Sequence, residues 1–176
     1  MTDVHQPLYA RNLHFPSCPY YKPVLQWVLR LSLLILGTVG LSFLHLWVAA
    51  VYLIYYVVFF LWAMPVKHCQ YCYYNVKEPT LDSETGKTIE KLLPLDKWKE
   101  SYLQQHVACG KKWSSNFFIL WFAPIFLIGI SLFLRFSVIA LISLIAFIIV
   151  LAVMLIHMKW KVCPTCAFVE ECHAAF

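Results

Sequence analysis

Two short motifs carry most of the chemistry open to this chain: Lys67-His68-Cys69-Gln70-Tyr71-Cys72 and Lys161-Val162-Cys163-Pro164-Thr165-Cys166. A Cys-x-x-Cys pair on a tight turn can point two sulfurs at one metal ion, with backbone amides tempering the thiolate charge. Two such turns brought together make a tetrahedral four-thiolate site. One pair alone is a weak signal; two in equivalent positions, each just beyond an apolar stretch, are a strong one. Four thiolates suit zinc, a single iron or an iron–sulfur cluster. Zinc would make the site structural, whereas iron would make it a one-electron relay. Three more cysteines lie elsewhere. Cys18 follows His14, Cys109 follows His106, and Cys172 precedes His173. The expected arrangement is one shared site of Cys69, Cys72, Cys163 and Cys166, because two turns on a two-fold axis converge without help from loops. The alternative is two sites. One would hold Cys18, Cys69 and Cys72 with His14 or His68, and the other Cys109, Cys163 and Cys166 with His106 or Cys172.

The two turns resemble the knuckles of rubredoxin and zinc-ribbon sites, where Cys-Pro-x-Cys also recurs, as it does in Cys163-Pro164-Thr165-Cys166. The resemblance is confined to these stretches. It departs at Tyr73 and Ala167, which stand where a glycine often follows the second cysteine.

The elements that must position these turns are apolar. Of the 176 residues, 61% are hydrophobic, 17% aromatic and 13% charged. A soluble domain averages roughly 45–50% apolar and about 25% charged residues. This composition excludes an ordinary soluble domain, a disordered chain and a collagen-like fibre. The net charge of +5 is mild, and the basic residues form no aromatic-interleaved run, which argues against a nucleic-acid partner. An integral membrane protein remains. Positions 31–66, 113–134 and 136–158 contain no charged residue. A helix needs about 20 apolar residues to cross the bilayer core. The last two stretches therefore each make one crossing, over 116–134 and 137–157. The first apolar block, 24–64, would be about 60 Å long as one helix, roughly twice the hydrocarbon thickness. It is expected as two crossings, with Gly40, Ser42 and His45 near the turn. Trp27, Trp62, Trp113, Trp121 and Trp160 fall near helix ends, as interfacial anchors do.

Displacing the sequence by 94 positions aligns the halves: Trp27 on Trp121, Leu33 on Leu127, Lys67 on Lys161, Cys69 on Cys163 and Cys72 on Cys166. Leu41 falls on Arg135, so the turns of the two hairpins correspond. The expected architecture is an all-α integral membrane protein. Four crossings form two tandem hairpins, related as a parallel repeat about an axis along the membrane normal, with a cytoplasmic Cys-rich metal site. The first half covers residues 1–75, a cytoplasmic connecting loop 76–105, and the second half 106–176. Within the loop, 78–91 suggests an exposed turn or short hairpin. From 94 to 105, Leu95, Trp98 and Tyr102 recur at helical spacing. A solvated structural loop is the preferred reading there; the other is a short amphipathic helix on the membrane surface or capping the site.

Thirteen of the 14 basic residues fall on or next to the side that carries both termini, and Arg135 alone falls on the other. The positive-inside rule then places both termini in the cytoplasm. Residues 1–23 are polar without an apolar h-region, so the first helix is expected to act as its own insertion signal. No Ser-His-Asp set, phosphate loop or carboxylate pair is evident. The functional expectation is a non-catalytic metal–thiolate membrane protein, an accessory or docking subunit with a protein partner at the cytoplasmic face and zinc as its metal. The absence of Asp, Glu and Lys from the crossings supports it, because transport sites and proton relays use such groups. The first alternative is an electron carrier with iron or an iron–sulfur cluster that serves membrane quinone. The second is a thiol–disulfide oxidoreductase, since four crossings with Cys-x-x-Cys pairs look like the quinone-linked disulfide-forming enzymes. Those act on the outer face, whereas the charge rule puts these cysteines inside, where thiols stay reduced.

Overall fold

The computed structural model of the protein describes residues 24–68, 71–81 and 88–166. Among the described residues, four helices are long and apolar enough to cross a membrane. The first, α1, runs Val24–Ser42, and α2 runs Leu46–Val58. The division of the 24–64 block into two crossings is therefore found. The break falls at 43–45, where a cap is available: Trp47 N donates to His45 Nδ1 at 3.2 Å, so His45 closes the start of α2. Beyond Val58 the coil widens into a π-helical segment, Phe59–His68. Pro65 within it lacks an N–H and cannot complete a regular ladder.

The connecting loop is not wholly irregular. Strands β1, Lys77–Leu81, and β2, Thr88–Leu92, pair antiparallel with Lys77 opposite Leu92 and Leu81 opposite Thr88. The expected hairpin is present, and the all-α description holds for the membrane part alone. The segment 94–105 requires a correction. It is neither loop nor separate helix, but the first part of α3, a single helix Leu95–Leu134 of 40 residues. Nothing between 105 and 116 breaks it, because the chain there offers only one glycine, Gly110, and no proline. The boundary between loop and second half, at 105, thus falls inside a helix. After a turn at 135–137, α4 runs Val138–His157 and also widens into a π-helical segment, Met158–Val162, followed by a 3₁₀ turn, Cys163–Thr165.

The helices form one bundle. α1 packs on α2, α4 and α3, and α3 packs on α4 and on the π-helical end of α2. Leu33, Leu41, Leu120, Ile128, Phe147 and Met154 fill the core. The outward faces carry exposed Leu31, Ile54, Phe126, Ile142 and Ile149, surface that suits lipid and not water. Close approach at the far end depends on Gly37 and Gly40. A Cβ on Gly37 would sit 2.7 Å from the Tyr52 ring, and one on Gly40 would overlap Ile128.

Three side-chain hydrogen bonds tie the four helices together in one layer. Gln26 Nε2 donates to His157 Nδ1 at 2.8 Å, joining α1 to α4. Tyr56 OH donates to the Arg30 carbonyl at 2.8 Å, joining α2 to α1. Tyr55 OH donates to Asn116 Oδ1 at 2.6 Å, joining α2 to α3. The start of α1, the end of α2 and the end of α4 therefore share one end of the bundle, called the terminal end below. The extension of α3 projects from that same end.

Candidate metal centre

The chain leaving Cys72 is held by its own backbone. Asn75 N and Val76 N donate to the Cys72 carbonyl at 2.8 and 3.1 Å, folding the chain back into a tight turn. Leu93 N then donates to the Val76 carbonyl at 3.4 Å, which attaches the turn to the base of the β hairpin. The second knuckle is a 3₁₀ turn closed by Cys166 N donating to the Cys163 carbonyl at 3.0 Å. Both knuckles begin where a π-helical segment ends: His68 immediately precedes Cys69, and Val162 immediately precedes Cys163.

The α3 extension joins them. Trp98 is 0% exposed, and its Nε1 donates to the Tyr71 carbonyl at 3.0 Å, inside the first knuckle. Cys72, Val76 and Trp98 form a small buried core apart from the membrane bundle. Tyr73, Leu95, Tyr102 and Cys166 pack against it. The second cysteines of the two knuckles thus meet in one cluster around Trp98. The start of α3 thus covers this cluster. About two helix turns further along α3, the His106 ring lies 5.7 Å from the Trp98 ring. His106 belongs to the surroundings of the cluster through that contact.

Cys109 and Cys163 are partly buried. Burial pushes the Cys109 thiol up, and the Lys112 ammonium pulls it partly back down. Among the described residues no three His, Cys, Asp or Glu side chains converge on a point that could hold a metal. Cys72, Cys109, Cys163 and Cys166 are all described, so neither Cys109, Cys163 and Cys166 nor Cys72, Cys163 and Cys166 form such a group. Cys18, Cys69, Cys172 and His14 lie outside the described residues. Four thiolates, Cys69 among them, would suit a thiophilic ion such as zinc.

Sequence reasoning missed a second polar locus. Arg30, treated as a charge flanking the first crossing, is only 2% exposed inside the bundle. Its guanidinium lies 5.3 Å from the Trp27 ring centroid and 5.5 Å from that of Phe60. Gln26, one turn earlier on the same face, is fully buried. The available signal was the i, i+4 spacing of two polar residues in an otherwise apolar helix. Comparison of the chain with protein-family models, curated proteins and solved structures finds no match.

Proposed function

We propose that this protein is a non-catalytic membrane protein in which Cys69, Cys72, Cys163 and Cys166 hold one metal ion at the terminal end of the bundle. The braced face then serves as a docking surface for a protein partner in a larger membrane complex. The observation that carries this reading is the packing of Cys166 against the buried core of Cys72, Val76 and Trp98. That contact brings the end of the second half onto the knuckle of the first. The two π-helical segments, ending at the residue before each first cysteine, support a parallel repeat of two hairpins. Bound zinc would supply a cross-link between hairpins, closed to substrate by its four protein ligands. The Lys and Arg distribution supports a cytoplasmic location for this face.

Metal analysis and the visible spectrum of anaerobically purified protein test the proposal. The expected result is colourless protein with about one zinc per chain, as four thiolates hold one ion. Iron with thiolate charge-transfer bands would replace docking by electron transfer. Cys69→Ser and Cys163→Ser should each abolish metal binding and loosen the two hairpins, since structural zinc supplies on the order of 10 kcal/mol in small sites. Cys18→Ser and Cys109→Ser should keep full occupancy with metal in excess. Unchanged metal content in both knuckle variants would refute the site.

A further inference from the structure

We propose that the outward face at the end of α4 binds the headgroups of anionic phospholipids through Lys159 and Lys161, the two neighbours of Trp160.

An apolar ridge sets the place. Ile149, Val153, Ile156 and Trp160 follow one another along α4 and its π-helical end at intervals of three or four residues, and all are exposed. Exposed aliphatic side chains at that spacing make one lipid-facing stripe. The stripe ends at Trp160, which is 72% exposed and has the amphipathic ring that lies at headgroup level. A second observation gives the same depth. The Gln26–His157 hydrogen bond sets His157 beside the first turn of α1. Trp160 lies about 4.5 Å further along its helix, level with the start of α1.

The charge at this level is positive. Residues 136–166 contain Lys159 and Lys161 and no Asp or Glu. Both lysines are exposed. Adjacent residues stand roughly a quarter turn apart around a helix, so both stems leave it beside the Trp160 ring. Such stems lie along apolar surface while the amines reach outward to the phosphates. A lysine amine is a point charge with three donors, so it reads net negative charge and not the shape of one headgroup. The phosphate of phosphatidylcholine is balanced by its own choline, whereas phosphatidylglycerol and phosphatidylserine keep a net negative charge. An acidic protein could also meet surface lysines. These two, however, stand at the end of a lipid-facing stripe, where a lipid headgroup is the nearest anion.

The test is native mass spectrometry of the full chain released from nanodiscs that mix phosphatidylglycerol and phosphatidylcholine equally. Each lysine near a membrane surface favours anionic lipid on the order of fivefold, so wild type should prefer phosphatidylglycerol by at least about tenfold. Lys159→Gln combined with Lys161→Gln should bring the two lipids to within about twofold of equal retention. Lys91→Gln combined with Lys97→Gln removes the same charge from exposed positions of β2 and of the α3 extension, and should leave the preference unchanged. Lys159→Arg combined with Lys161→Arg should keep it, and phosphatidylserine should replace phosphatidylglycerol without loss. Equal retention of both lipids by wild type overturns the proposal and leaves the lysines to a protein partner. A preference that survives the loss of Lys159 and Lys161 also overturns it, as does one lost equally in the Lys91 and Lys97 variant.

Discussion

The four described cysteines, Cys72, Cys109, Cys163 and Cys166, are not equivalent groups, and burial is what separates them. Thiolate is the metal ligand and the nucleophile, so a group that resists ionisation is disadvantaged in both roles. Cys109 is such a group: burial raises its thiol above the ordinary range, with Lys112 opposing. The rate of iodoacetamide labelling at Cys109, followed by peptide mass spectrometry against pH, should reach half-maximum above the free-cysteine value of about 8.5. Lys112→Ala removes a positive charge that favours the thiolate, so it should move the midpoint still higher, while Lys112→Arg should leave it in place. A midpoint at or below the ordinary value would refute the burial. Residue types and spacing made the cysteines and His106 visible as candidates, but could not rank them. Desolvation depends on tertiary packing that no linear pattern records. Arg30 was misjudged for the same reason. A charge at the edge of an apolar run looks like a flank until helix geometry turns it inward beside Gln26.

At the scale of elements, α3 is the unit on which the site depends. Its 40 residues make a rod about 60 Å long, of which the bilayer core takes roughly 30 Å. The remainder carries Trp98 and His106 to the knuckles. Gly110 stands in this extension with nothing near the place a Cβ would occupy. Gly110→Ala should therefore stabilise the protein by about 0.5–1 kcal/mol, measured by thermal unfolding in detergent. A break in the helix at Gly110 would give no gain. The opposite outcome is expected at Gly40, where the new methyl group collides with Ile128. Overpacking of this kind costs about 1–3 kcal/mol, and Ile128→Val should recover part of it by removing the atom in the way. Additive losses in the double variant would mean that the two helices do not meet there. The four crossings were legible because apolar length against bilayer thickness is a strong constraint, and His45 marked the turn. The continuity of α3 was not, because the charged residues between 95 and 112 end the apolar pattern without ending the helix. Helix propensity carries on where hydropathy stops.

For the molecule as a whole, the distribution of charge and the hydrogen-bonded layer bear on the same question. The bonds Gln26–His157 and Tyr56–Arg30 place the start of α1 and the ends of α2 and α4 together. Every stretch of chain rich in Lys and Arg is attached to that end, including the β hairpin and the α3 extension. The far turns offer His45 in one case and Arg135, which is exposed, in the other. Because basic residues in short loops resist translocation, this asymmetry predicts that the terminal end faces the cytoplasm. The chemistry follows from the side. In a reducing compartment the knuckle thiols stay available for a metal, and outside it they would pair as disulfides. A fluorescent protein fused after Phe176 should therefore be bright, and a phosphatase that works only outside the cytoplasm should be inactive in the same place. An epitope inserted at 135–137 should be accessible from outside in intact cells. Adding three lysines to that turn should reduce correct insertion, since it removes the charge difference. An active phosphatase at the C-terminus would reverse the orientation and remove the compartment in which a four-thiolate metal site is stable.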